Sequence, residues 1–351
     1  MSDEIFVVGA SRSGTNLARA LLNAHRTLWV SAETHYFDDL RPRLPGSGTQ
    51  PLQGEHRERC ERYFLQLSHR AFGQGGEAES SRLDSDELRA LANELGGTGD
   101  AYFEALCRLR AAHHGRERWG EKTPRHVYRI DELLSAFPEA KVVCLVRDPR
   151  AVVASYKDWH GAAERRGVQE SPETEADRER SRRSYNPVLM SLLWRGVVRS
   201  SFAAFDRHGG ERVRIQRFER LAAEPEAEVR ELCDWLDLDF EPALLEIPVV
   251  NSSYATTGAG VSSEPVERWR ERLSPAEVGI VQSVCEPLLS QLGYAPDDVG
   301  VSPLRLAWAW GTVPFAVARA AVVNRRRLGR AGQYLRRRAG AALARGPLPP
   351  G

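Results

Sequence analysis

Apolar positions come in two kinds of run along this chain. Ile5, Phe6, Val7 and Val8 form an unbroken block that stops at Gly9. A Ser/Arg/Gly stretch follows, and then a segment that puts Leu17, Leu21 and Ala24 on one face of a helix. The order is strand, loop, helix. Ala140 to Val146 repeats it with a near-continuous apolar run of the kind a strand buried on both faces shows, after which Asp148 and Pro149 open a helix from about Arg150 to Trp159. Shorter strands are predicted at Leu28–Ser31, Arg118–Glu121 and Arg212–Gln216. Helices are predicted around 55–72, 85–95, 100–113, 125–136, 186–208, 225–237 and 275–292. The last carries the fullest signals. Ser274, Pro275 and Glu277 supply a cap, a first-turn proline and a capping-box acid; Val278, Val281, Cys285, Leu288, Leu289 and Leu292 make the apolar face, and Gly293 the stop. The alternation predicts an α/β fold with a central, mostly parallel sheet flanked by helices and right-handed crossovers.

Composition narrows this without changing it. With 351 residues, 42% of them apolar and 28% charged, the chain has material for a large core, which excludes a disordered or fibrous protein. The formal charge of +1 leaves no overall field to recruit nucleic acid. The charge is nevertheless uneven: from Val301 onward there are ten Arg and no acidic residue, so residues 1–300 carry a net charge of −9. A boundary near Asp298 therefore divides a domain, 1–298, from a basic, apolar and aromatic C-terminal extension, 299–351, predicted to be helical. Within the domain, 161–183 is half charged, 12 of 23 residues, and is predicted to be a mobile surface loop. Five scattered cysteines without a C-x-x-C pair argue against a disulfide framework and a zinc site, and the start MSDEIFVV lacks the pattern of a secretory signal, so a cytoplasmic location is expected. The longest uncharged apolar run, Leu306 to Ala318, has 13 residues and includes Pro314, too short to span a bilayer. An extension that is apolar and then basic suits an anionic membrane surface, which would make the protein peripheral there. The alternative is a tail packed on its own domain.

The candidate chemistry lies at the two strand-to-helix turns. Gly9 and Gly14 have the spacing of a nucleotide-binding P-loop, but Thr15 and Asn16 occupy the places where that loop carries its phosphate-binding Lys and its metal-binding Ser/Thr. What remains is a set of backbone N–H groups at a helix start, with Arg12, Ser11, Ser13 and Thr15 around them, suited to a phosphate and requiring no metal. In the second unit Arg147 ends a buried strand and Ser155 follows eight residues later on the next helix, two donors for a second anion. Ligands of open α/β sheets bind outside the carboxyl ends of the strands, where both turns lie.

With these residues in place the chain resembles the sulfotransferases that use 3′-phosphoadenosine-5′-phosphosulfate (PAPS), from about Ile5 to Tyr294 with 42–115 and 160–184 left unaligned. The resemblance implies that Arg12, Ser13, Gly14, Thr15 and Asn16 form the 5′-phosphosulfate loop and that Arg147 and Ser155 hold the 3′-phosphate. Arg12 to His25 followed by Ala32-Glu33-Thr34, together with Cys285 to Tyr294, is similar to the branch containing the tyrosylprotein sulfotransferases and many bacterial enzymes. In that branch the glutamate at the position of Glu33 is the base. Glu121-Lys122-Thr123-Pro124 resembles the segment whose lysine faces the transferred group, and Arg217 to Leu221 the segment after the fourth strand, with Phe218 where a Tyr is frequent. Asn16 stands where Thr is commoner, and Pro124 where the cytosolic branch has a histidine, so a histidine mechanism does not carry over. The segment Val266 to Arg270 is similar to a family segment near the C-terminal loop, in which Trp269 either covers the nucleotide or belongs to the core; Ser262, in the Gly260 to Ser263 loop, is a candidate contact for the sulfate or the nucleotide.

The expected reaction moves a sulfuryl group from PAPS to a hydroxyl acceptor in line, leaving adenosine 3′,5′-bisphosphate, with Arg12 and Lys122 stabilising charge and no metal. Glu33 is the expected base, its pKa raised by an apolar wall, with His35 and His126 as runners-up. The acceptor class is a small molecule, a carbohydrate or a lipid-linked hydroxyl. Two other readings compete. A P-loop kinase-like phosphotransferase requires a lysine after Gly14, and a non-catalytic nucleotide-binding or membrane-associated protein has no need of Glu33 and Lys122.

Overall fold

The computed structural model describes residues 4–67, 83–158, 179, 182–247, 260–261, 263, 266–323 and 340. Most of the charged segment 161–183, and Ser262, lie outside them. Five strands, β1 (Glu4–Gly9), β2 (Leu28–Ser31), β3 (Arg118–Lys122), β4 (Lys141–Val146) and β5 (Val213–Arg217), form one sheet in the order β2-β3-β1-β4-β5. Every neighbouring pair is parallel, with Val7 opposite Lys122, Gly9 opposite Leu145, Ser31 opposite Glu121 and Val146 opposite Arg217. All five carboxyl ends therefore share one edge. The chain leaves β1 toward one side of the sheet and β4 toward the other, so a crevice opens between their ends.

The apolar runs are continuous because both faces are covered. Phe6 and Val8 enter one core with Phe103, Trp119 and Phe137, while Ile5 and Val7 enter another with Leu21, Leu22, Val143 and Leu145. The side-chain alternation of a strand thus feeds two cores from one run of apolar residues. After β1 and β2 come α1 (Thr15–Asn23) and the single turn α2 (Tyr36–Asp39). Three helices, α3 (Gly54–Leu67), α4 (Ser85–Glu94) and α5 (Gly99–His113), precede β3; α6 (Ile130–Ala136) leads into β4 and α7 (Pro149–Asp158) leaves it. Next are α8 (Pro187–His208) before β5, then α9 (Phe218–Ala223), α10 (Pro225–Trp235), α11 (Trp269–Arg272), α12 (Pro275–Cys285), α13 (Leu288–Gln291), α14 (Pro303–Gly311) and α15 (Val313–Val323).

The helix expected over 275–292 is in fact two. Its capping box forms as the pattern predicts, but α12 stops at Cys285, where Glu286 turns extended at ψ 144° and α13 restarts at Leu288. Pro287 has no N–H to donate, and its ring forces the preceding residue out of the helical region. Apolar periodicity continued across a break that covalent geometry imposes.

Candidate active site

The turn after β1 is shaped by close approach. Gly9 has φ +143° and a Cβ there would lie 2.4 Å from the carbonyl oxygen of Leu145; Gly14 has φ +93° and a Cβ would lie 2.6 Å from the ring of Phe218. Only glycine fits either place. Between them Arg12 adopts φ 74°, a left-handed conformation uncommon for a residue with a side chain. Gly14 caps α1 without a side-chain hydrogen bond, and no acidic residue stands in its first turn. Thr15 and Asn16 thus begin a helix whose first N–H groups lack a side-chain cap, the arrangement that binds anions. The Ser13 hydroxyl is fully buried and makes no hydrogen bond among the described residues. A polar group that far from water needs a partner, and an anion seated in the turn would supply one.

The turn after β4 is tied directly to the first. Arg147, 8% exposed, donates from Nη1 to the Arg12 carbonyl at 3.1 Å, and Arg12 Nε donates to Ser155 Oγ at 3.0 Å. Residues 143 apart in sequence meet because β1 and β4 are neighbours. The Arg147 guanidinium lies over the Phe218 ring at 4.2 Å, and Trp194 of α8 donates to the Arg147 carbonyl at 2.8 Å. Phe218 therefore packs between Gly14 and Arg147, a role that needs its ring and not a hydroxyl. The peptide N–H of Asp148 is taken by Glu219, whose second oxygen accepts from the Tyr294 hydroxyl at 2.9 Å. This knits the ends of β4 and β5 to α13.

Trp269 stands apart from this group. Its ring, 2% exposed, has the guanidinium of Arg150 at 4.2 Å and that of Arg270 at 4.4 Å. Between two cations and inside the core it is buried as a prop for α7, because Arg150 turns inward to pair with Asp148 at 2.7 Å. Of the two roles open to Trp269, a cover over the nucleotide or a core residue, its burial favours the core.

At the β2 and β3 ends the charges face one another. Lys122 Nζ, 4% exposed, donates to Glu33 Oε1 at 2.6 Å, and His35 Nε2 lies 3.3 Å from Glu33 Oε2. Burial favours the neutral form of Glu33, yet the adjacent Lys122, His35 and Arg125 outweigh it and hold the pKa down at about 2. The sequence reading expected the opposite direction. It anticipated the apolar wall and missed the lysine, which belongs to a strand 89 residues away. Burial, reinforced by Arg125, pushes the His35 imidazole to about 4, so it is neutral at pH 7.

A buried clasp holds this loop. Glu121, 0% exposed, accepts from Thr34 N and Thr34 Oγ1, both at 2.8 Å, and from Thr123 Oγ1; His126 Nδ1 lies 3.2 Å from its other oxygen. The Thr123 hydroxyl in turn accepts from Thr34 N at 3.2 Å and His35 N at 3.3 Å. The nearby His126 imidazole and the hydrogen bonds from Thr123 and Thr34 hold the Glu121 carboxyl below its ordinary pKa against its burial. Glu121 escaped the sequence reading, although a signal was present: an acid next to Trp119 and Gly120 in a strand that is buried throughout must find buried partners. His126 sits under the clasp with its ring edge on Phe37, not beside the Glu33 carboxylate. Among the described residues no cluster of His, Cys, Asp and Glu has the makings of a metal site.

Residues 4–242 match the model of the sulfotransferase family. A nodulation protein, NoeE, of Sinorhizobium fredii is 26% identical over 306 residues, covering 82% of this chain and 65% of that protein. The protein-tyrosine sulfotransferase of Drosophila melanogaster is 25% identical over 306 residues, covering 83% of this chain and 52% of that protein. The chain thus spans between half and two thirds of the length of these relatives. Among solved structures, the sulfotransferase domain of an olefin synthase from Synechococcus PCC 7002 superposes with a TM-score of 0.50 at 19% identity, over 84% of this chain and 95% of that one, which supports the fold. A family match over more than half the chain, on a parallel sheet whose β1 and β4 turns interlock, settles the grouping: this chain belongs to the sulfotransferase family.

Proposed function

We propose that the protein transfers a sulfuryl group from PAPS to a hydroxyl acceptor by direct displacement, without a metal. The observation that supports this reading is the interlocked pair of turns, Arg147 to the Arg12 carbonyl and Arg12 to Ser155, which brings the two candidate anion positions side by side, as one nucleotide with two phosphoryl groups requires. An NTPase loop places one lysine against consecutive phosphates and recruits Mg²⁺; here arginines and peptide N–H groups take that part. The uncapped start of α1, the Ser13 hydroxyl and Asn16 suit the 5′ end of the donor, and Arg147 with Ser155 suits its 3′-phosphate.

PAPS supplies an activated sulfuryl group whose departure leaves adenosine 3′,5′-bisphosphate. In the transfer the acceptor oxygen forms a bond to sulfur as the sulfur–oxygen bond to the 5′-phosphate breaks, and the acceptor proton passes to Glu33. Arg12 and Lys122 neutralise the oxygens on which charge accumulates. Glu33 at about 2 is too weak a base while Lys122 grips it. An anionic donor competes for that ammonium, and once Lys122 turns to the donor, burial is opposed only by His35 and Arg125, so the affinity of Glu33 for a proton rises. The Lys122–Glu33 ion pair thereby couples donor binding to activation of the base. The test is calorimetric titration with adenosine 3′,5′-bisphosphate and separately with ATP and Mg²⁺, followed by an acceptor screen with labelled donor. Bisphosphate should bind much the tighter of the two; preference for ATP with Mg²⁺ would return the chain to the kinase-like reading. Carbohydrate, phenolic and lipid-linked hydroxyls are the acceptors to screen.

A further inference from the structure

α14 and α15 follow one another with a single turn residue, Thr312, between them, whose hydroxyl donates to the Ala309 carbonyl at 2.7 Å and accepts from Asn186 at 3.1 Å. Together they make an apolar stretch of 21 residues, only 11% of whose most apolar window is buried, against 56% for the comparably apolar α8. The sidedness is inverted for a helix serving its own domain. Small residues face inward: Ala309, at 4% exposure, packs with Val188, Leu192, Ile280 and Val284, and Ala316 is buried to 3%. Large ones face water: Leu304 at 84%, Trp308 at 75%, Phe315 at 78% and Val322 at 64%. Steps of four, seven and seven residues put these four side chains on one stripe.

Charge identifies what covers the stripe. Arg305 and Arg319 flank it, the sequence continues through Arg325, Arg326, Arg327, Arg330, Arg336, Arg337 and Arg338, and no acidic residue occurs after Asp298. A second copy of this face would set arginines against arginines, whereas an anionic lipid surface neutralises them and accepts Trp and Phe at its headgroup boundary. We infer that α14–α15 is an interfacial anchor, laid along an anionic bilayer with the Leu304–Trp308–Phe315–Val322 stripe inserted. It lies on the membrane and does not cross it, because its Ala309–Ala316 face is occupied by the domain, to which Arg319 also donates at the Tyr185 carbonyl at 3.2 Å. The anchor rests on α8, the helix whose Trp194 holds Arg147, so membrane surface and phosphate turns are joined through one rigid element.

This inference does not depend on the reaction proposed above, and its readout is binding. The full chain is sedimented with vesicles of phosphatidylcholine alone and of phosphatidylcholine with phosphatidylglycerol. Binding is expected on the second only, weakened by salt, and accompanied by a blue shift of tryptophan fluorescence. The double substitution Trp308→Ser with Phe315→Ser, at exposed positions and checked for folding by circular dichroism, should reduce partitioning at least about tenfold. Equal binding by the variant, no binding to anionic vesicles, membrane association that survives alkaline carbonate, or a lipid-free dimer dispersed by the same substitutions would each overturn it.

Discussion

The two halves of the site handle charge in opposite ways. At the β1, β4 and β5 ends, Arg147 donates to the Arg12 carbonyl and lies over the Phe218 ring, and Arg12 donates to the Ser155 hydroxyl. At the β2 and β3 ends the lysine is already answered by Glu33, and Glu121 by three donors and His126. On the function proposed above, one half receives the anionic donor and the other holds its charges in check until the donor binds. Preorganised donors suit a nucleotide that must be bound in one pose, whereas a base has to change its proton affinity during turnover.

The comparison breaks most sharply at Glu33. Glu33→Gln should lower turnover by about 10²–10⁴-fold, the usual worth of a positioned base, while bisphosphate affinity by calorimetry stays nearly unchanged. Full retained activity would move the base elsewhere. Next in size is Arg147→Ala, which should weaken bisphosphate binding by about 2–4 kcal/mol, because the nucleotide's buried charge loses its partner. The Glu33 carboxyl, followed by NMR, should keep its depressed pKa in this variant; a shift there would show that the halves are not separable. Glu121→Gln sharpens the contrast from the other side. It keeps the clasp's shape but removes its charge, and should cost roughly 1–3 kcal/mol in denaturant unfolding with little change in nucleotide affinity.

The smallest expected effect is acid sensitivity arising in the carboxylate half alone. His35 falls from an ordinary 6.5 to about 4 on folding, so between those values the unfolded chain binds a proton that the folded one refuses. Stability from this source is complete above pH 6.5 and lost as pH drops toward 4, on the order of 1–2 kcal/mol allowing for its partial exposure. Glu33 adds a second loss between its ordinary 4.5 and about 2. Thermal melts of the wild type and of His35→Gln across pH 4–7 should show a flatter profile for the variant; identical profiles would remove His35 as the source.

The site was unevenly legible. Gly9, Arg12, Gly14, Arg147 and Ser155 stood out because turn chemistry and strand ends are local, and the interval from Arg147 to Ser155 is shorter than one helix. Phe218 was placed by resemblance and proved to pack against Gly14. The grip of Lys122 on Glu33 and the Glu121 clasp were not legible, since each joins residues whose separation in sequence says nothing of their distance in space. Pro287 was visible and its consequence was overridden by an apolar pattern that ran on past it.

Sequence alone determined the strands, the glycine-shaped turn, the α12 capping box and the basic extension, because backbone sterics and apolar periodicity act over a few residues. Tertiary structure decided which strand ends became neighbours, and through that the ionic state of Glu33. It also decided which face of α14–α15 was left to solvent. Electrostatics and burial act across space, and the order β2-β3-β1-β4-β5 sets those distances.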